Sequence, residues 1–161
     1  MEKPSWTPII LSGAIPREAT DLLAILVMGI VALEATLAAI GPTTPVSRLW
    51  LSLLVVPPTC ALASVSTTTR RTKEELALFA YGSSGWQILL RYFIRGAIIA
   101  LVAFSPVLLQ EFLTTTPMLE LATTVIVLLF AGGLFYSLPS LRRIRSSSFV
   151  EHYKSYQTCH P

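Results

Sequence analysis

The chain has 161 residues, of which 53% are hydrophobic and only 13% are charged. This balance does not suit a water-soluble globule of one-domain size, and it favours a membrane protein. The formal net charge of +3 does not indicate nucleic-acid binding, because the basic residues flank apolar segments and form no continuous basic stripe with interleaved aromatic residues.

Four apolar stretches dominate the sequence, at about residues 22–40, 49–65, 88–109 and 119–138. Each approaches the roughly 20 residues that cross a bilayer as a helix. We therefore predict an all-α polytopic membrane protein with four transmembrane helices within residues 22–138. An interfacial segment at residues 1–21 precedes them, and a basic tail at residues 139–161 follows, with Pro139 ending the fourth span.

The basic residues predict the orientation of these spans. With four spans, the N-terminal segment, the middle loop and the tail share one side of the membrane. Every lysine and arginine except Arg48 lies in or beside these segments. The positive-inside rule then places both termini in the cytoplasm, with the chain in the cell membrane.

Charged residues within the predicted spans are candidates for function. Glu34 is the one acid deep in a span, where an ionised carboxylate is costly. It marks a proton or substrate path, or else it pairs with a polar cluster of the bundle or with a basic group of a partner chain. Arg91 and Arg95 lie one helical turn apart on the third span, and snorkelling to the inner headgroups explains both.

Sequence signatures of catalysis are absent. The chain has no phosphate-binding loop, nucleophile elbow or zinc-protease motif. Cys60 and Cys159 fall in a span and in the tail, so we expect neither a disulfide nor a metal site. We predict that the chain is not an enzyme and holds no cofactor or metal of its own.

The loop between the second and third spans is the most informative segment. After a charged stretch at residues 70–75, the apolar residues Leu76, Leu78 and Phe79 precede Gly82, a natural end for a short amphipathic helix. We predict a short helix at the cytoplasmic membrane surface. It is either offered to a cytosolic partner or packed on the protein's own spans.

This segment resembles the cytoplasmic loop of FtsX-like and MacB-like ABC transporter permeases. In that family an arginine-rich stretch and a glutamate precede a glycine, and a serine and a Gln-Ile pair follow; the matching residues here are Glu74, Gly82, Ser84, Gln87 and Ile88. The tail resembles the family's closing proline, arginine cluster and Pro-Val-Glu, with a one-residue shift and with Phe149 replacing the last proline. The matching tail residues are Pro139, Arg142, Arg143, Arg145, Val150 and Glu151.

The resemblance covers about residues 49–154 and has two departures. The family usually places a glutamate in the third span where Arg95 stands, and its large extracytoplasmic domain between the first two spans is missing. ABC-2-type exporters have a similarly placed segment, but they normally have six spans.

The resemblance implies a permease subunit whose segment at residues 70–87 is a coupling helix that docks on a separate cytosolic ATPase, which binds the ATP. The contact residues it implies are Glu74, Leu78, Phe79, Gly82, Ser84 and Gln87. It also implies a homodimer or a heterodimer with a related permease. Small residues such as Gly29, Ala32, Gly132 and Gly133 are candidates for the dimer face.

Two rival interpretations remain. In the first, the chain is a structural accessory subunit of a larger membrane complex. In the second, it is a small carrier that uses Glu34. Four spans without an inverted repeat disfavour the carrier.

Overall fold

The computed structural model describes residues 15–16, 18–38, 45–66, 74–79, 83–113 and 118–145. Every regular element within these residues is a helix, which confirms the predicted helical fold class for this part of the chain. The helices are α1 (Ala19–Ala38), α2 (Pro45–Ser66), α3 (residues 74–79), α4 (Gly85–Leu113) and α5 (Met118–Ile144).

Helices α4 and α5 are long and apolar enough to cross a bilayer. At 29 and 27 residues they extend beyond the predicted third and fourth spans at both ends. Helix α5 continues through Pro139 to Ile144, so this proline does not end the helix as predicted. A proline removes a single backbone donor, and the turns after it can still form their own hydrogen bonds.

The long helices pack as a ring. Helix α1 lies beside α2 and α4, and α5 also lies beside α2 and α4. The fully buried side chains at the centre of the ring include Met28, Val56, Ile99, Leu128 and Tyr136. Each of the four long helices therefore contributes to one shared apolar core.

The start of α4 and the end of α5 lie at the same end of the ring. A Cβ atom added at Gly85 would lie 3.6 Å from the side chain of Ile144 and 3.6 Å from the ring of Phe79 in α3. The end of α2 is there too, because Val65 and Leu138 line one groove. We call this the elbow end, and we call residues 74–87 the elbow.

Small residues let α4 and α5 approach closely. A Cβ atom added at Gly132 would lie 2.6 Å from the Cβ of Ala100 and 2.7 Å from the carbonyl oxygen of Gly96. One added at Gly133 would lie 2.7 Å from the ring of Phe93. The other two small residues considered for a dimer face also point inward: Ala32 is 5% exposed and Gly29 faces Ala103. The structure therefore does not support the predicted dimer face, because these residues already form contacts between helices of one chain.

Helix α4 also continues through a proline. Pro106 has no N–H to donate to the carbonyl of Val102 one turn earlier. The hydroxyl of Ser105 donates to that carbonyl oxygen at 2.8 Å. The serine thus satisfies the carbonyl group whose helical donor the proline removes.

Candidate functional site

A buried charge cluster joins three helices near the elbow end. Asp21 in the first turn of α1 is 0% exposed, and Arg95 of α4 is 5% exposed. The Nε atom of Arg95 donates to Oδ2 of Asp21 at 2.9 Å, and Nη2 donates to the same oxygen. Tyr136 of α5 donates its hydroxyl to Oδ1 of Asp21 at 2.6 Å. Both carboxylate oxygens of Asp21 are therefore hydrogen-bonded.

A second acid completes the cluster. The Oε1 atom of Glu18 lies 3.4 Å from Nη2 of Arg95, and its side chain is half-buried. Two carboxylates thus face one guanidinium. Burying such charges is costly unless they are paired and hydrogen-bonded. Helices α1 and α4 run parallel, since Gly29 faces Ala103 eight residues beyond the pair of Asp21 and Arg95. This alignment brings the charges of the cluster together.

The prediction that Arg91 and Arg95 both snorkel to the headgroups is wrong for Arg95, which is buried in this cluster. Arg91 lies 3.9 Å from Glu74 of α3. Snorkelling is the expected solution for an arginine whose helix has no acid beside it. For Arg95 the neighbouring helix α1 supplies the acid, Asp21, so the Arg95 guanidinium stays within the bundle.

Sequence reasoning missed Asp21, because its place before an apolar stretch is typical of a helix cap. One signal could have found it. Arg95 stands well inside a long apolar helix, where a cation requires an acidic partner. Asp21 and Glu18 are acids near the start of α1, and the start of α1 lies at the same end of the bundle as the start of α4.

Glu34 lies elsewhere. It is exposed on the surface of α1, 13 residues beyond Asp21 and so about 20 Å along the helix axis. Its exposed position does not agree with pairing inside the bundle. A transport path or a pairing with a partner chain stays a prediction.

The elbow is tied to both α4 and α5 by ion pairs. Glu74 of α3 lies 3.9 Å from Arg91 of α4, and the fully buried Glu75 lies 3.7 Å from Arg143 of α5. These two pairs come from adjacent residues of α3 and reach two different helices. The short helix is therefore held in a defined position across the end of the bundle.

The apolar side of α3 faces the protein's own helices. Leu78 and Phe79 are half-buried and pack against the core together with Ile144, and Leu76 is 9% exposed. Of the two interpretations of this helix, the described contacts favour packing on the protein's own spans for these side chains. Their contact with an ATPase stays a prediction.

Reciprocal hydrogen bonds cap the start of α4. The backbone N–H of Ser84 donates to the Oε1 atom of Gln87 at 2.8 Å, and the backbone N–H of Gln87 faces Oγ of Ser84 at 3.4 Å. This is a capping box with glutamine in the third helical position. Ser84 and Gln87, both predicted as ATPase contacts, thus cap the start of α4. Gly82 lies outside the described residues.

Trp86 is the elbow residue that sequence reasoning left without a role. Its side chain is 74% exposed, while the side chain of Glu74 is 40% exposed and Ser84 is also exposed. An exposed tryptophan at the end of an apolar helix is typical of a membrane interface or of a protein contact. Among the described residues of the elbow, Trp86, Glu74 and Ser84 form its outer surface.

Within the described ranges, no group of three or more His, Cys, Asp or Glu side chains could hold a metal ion. Cys159, His152 and His160 lie outside those ranges. No protein family, curated protein or solved structure matches this chain.

Proposed function

We propose that this chain is a four-span membrane subunit that couples a cytosolic ATPase to movement within the bilayer, as in the ABC transporter permeases that its middle segment resembles. The outward surface of the bundle supports the membrane placement. Exposed apolar side chains recur every four residues along α5, at Ile126, Phe130, Leu134 and Leu138. A continuous apolar stripe of this kind is unfavourable in water and ordinary against acyl chains.

The other two long helices fit the same placement. Helices α1 and α2 have 20 and 22 residues, or about 30 Å each, which matches the hydrocarbon core of a bilayer. They pack directly against α4 and α5, so all four would cross together. The elbow end would face the cytoplasm, since Arg91, Arg142, Arg143 and Arg145 lie there.

The observation that carries the coupling proposal is the attachment of the elbow. Two ion pairs join α3 to α4 and to α5, and Leu78 and Phe79 of α3 pack against the same core. A displacement of α3 would therefore also displace α4 and α5, to which it is joined. Gln87 is eight residues, or about 12 Å, from Arg95, through which α4 is bonded to α1.

The contact with an ATPase would use the outer surface of the elbow. Leu78 and Phe79 pack against the bundle, so Trp86 is the large exposed apolar side chain among the described residues of this surface. Exposed tryptophans are strong candidates for the residues that dominate a binding interface. Glu74 and Ser84 would add polar contacts beside it.

The test is copurification of the tagged full-length chain in mild detergent, followed by mass spectrometry and an ATP hydrolysis assay. We expect a stoichiometric ATP-hydrolysing protein whose retention is weakened about tenfold by Trp86→Ala. Phe112→Ala is the matched control, because this aromatic side chain is 58% exposed at the opposite end of the same helix.

Two outcomes would contradict the proposal. Equal retention of the ATPase by wild type, Trp86→Ala and Phe112→Ala would exclude the elbow as the contact. A stoichiometric partner without ATP hydrolysis would favour the second candidate function, a structural accessory subunit of a larger membrane complex. The inward packing of α3 favours that candidate, because a helix packed on its own bundle needs no moving partner.

A further inference from the structure

A groove with a volume of about 870 Å³ opens at the elbow end between the last turns of α2 and α5. Val65 of α2 and Leu138 and Leu141 of α5 form an apolar wall. Arg142, Arg143 and Arg145 line the same groove. An apolar surface and three arginines thus border one space.

The α5 side of the groove follows one face of the helix. Leu138, Leu141, Arg142 and Arg145 stand at i, i+3, i+4 and i+7, which places them in one row. The leucines come first and the arginines last, so the row changes from apolar to cationic over about 10 Å. A bilayer changes from acyl chains to phosphate headgroups over a similar depth.

The arginines differ in how they are engaged. Arg143 is half-buried and lies 3.7 Å from the buried carboxylate of Glu75. Arg142 and Arg145 are exposed, and neither forms an ion pair with another described residue. Guanidinium groups suit phosphate oxygens, because they can donate two parallel hydrogen bonds to them.

We propose that this groove binds an anionic phospholipid of the inner leaflet. Arg142 and Arg145 hold the headgroup phosphate, and one acyl chain lies against Val65, Leu138 and Leu141. Basic pockets between membrane helices on the cytoplasmic side have the chemistry that such headgroups require. The apolar wall selects a lipid over free phosphate, which has no apolar part to bury. This inference rests on the proposed membrane placement but not on the ATPase.

The test uses the delipidated full-length chain in nonionic detergent, with thermal unfolding followed as lipid is added. Phosphatidylglycerol, phosphatidylcholine with the same acyl chains, and inorganic phosphate at matched ionic strength are compared. We expect phosphatidylglycerol to raise the unfolding temperature well above the other two. Arg142→Gln and Arg145→Gln should each require about fivefold more phosphatidylglycerol for half of the effect.

Arg91→Gln is the matched control, because it removes the same charge from α4 outside the groove. Its phosphatidylglycerol dependence should equal that of wild type, whatever its starting stability. Leu141→Asn tests the apolar wall and should also weaken the lipid effect.

Three results would overturn the proposal. Equal effects of the two lipids would exclude headgroup recognition, and equal losses in Arg142→Gln and Arg91→Gln would reduce the effect to net charge. An equal shift with inorganic phosphate would identify a site for soluble anions. The assay contains no ATPase, so its result is independent of the coupling proposal. Resistance of the chain to carbonate extraction from membranes tests the membrane placement separately.

Discussion

The buried pair of Asp21 and Arg95 allows the sharpest test of this structure. Arg95→Met keeps a long apolar side chain in α4 but removes the guanidinium that donates two hydrogen bonds to Asp21. The carboxylate of Asp21, which is 0% exposed, would keep its hydrogen bond from Tyr136. The variant thus leaves a buried negative charge without its cation.

The expected cost follows from this burial. Removing one partner of a buried ion pair typically destabilises a protein by about 3–5 kcal/mol. Adding Asp21→Asn to Arg95→Met removes the stranded charge as well, so the double variant should be more stable than Arg95→Met alone. We expect the two substitutions to be coupled by about 2 kcal/mol or more, since they act on one hydrogen-bonded unit.

The assay is reversible unfolding in mixed detergent micelles, followed by circular dichroism, for the wild type, both single variants and the double variant. Two further variants calibrate the cluster. Tyr136→Phe should cost about 1.5–3 kcal/mol, because it removes a hydrogen bond to a charged acceptor. Glu18→Gln should cost less than Arg95→Met, because Oε1 of Glu18 lies 3.4 Å from the guanidinium and Asp21 remains to pair with it.

A stability of Arg95→Met within about 1 kcal/mol of wild type would contradict a buried ion pair between Arg95 and Asp21. Losses of the two single variants that simply add in the double variant would contradict it as well, since additivity means that the side chains do not interact.

Three further predictions concern close packing and hydrogen bonds, and the same unfolding assay checks them. Gly132→Ala should cost about 1–3 kcal/mol because its Cβ would meet the backbone of α4, whereas Gly29→Ala, whose nearest contact would be 3.5 Å, should leave stability unchanged or raise it by up to about 1 kcal/mol. Gln87→Ala should cost about 0.5–2 kcal/mol and speed hydrogen exchange of the Ser84 amide, which loses its acceptor. Ser105→Ala should cost about 1 kcal/mol, because it removes the donor that replaces the missing N–H of Pro106.

Each of these has a contrary result. Similar stability of the Gly132 and Gly29 variants would mean that the helices do not approach closely at Gly132. Unchanged amide exchange at Ser84 in Gln87→Ala would exclude the capping box. A Ser105→Ala variant as stable as wild type would show that its hydroxyl does not serve the carbonyl of Val102.

Local patterns in the sequence determined the helices. The apolar stretches predicted the class of the fold and the approximate bounds of α4 and α5, because helix formation depends on nearest neighbours along the chain. Ser84 and Gln87 were singled out as ATPase contacts by the resemblance to the permease loop, and the structure shows them three residues apart in a capping box. Pro139 gave a wrong prediction of the end of α5, because the helix continues through it to Ile144. The turns after the proline still form their own hydrogen bonds.

The tertiary structure alone decided how these helices use their polar and small residues. Arg95 and Asp21 are 74 residues apart, and no spacing rule relates them. Gly132 serves a contact with α4, and Phe79 packs on the bundle, although the sequence alone also allowed both to face a partner. Periodicity shows which residues share a helix face. Only the packing of the helices shows which face contacts another helix and which face stays exposed.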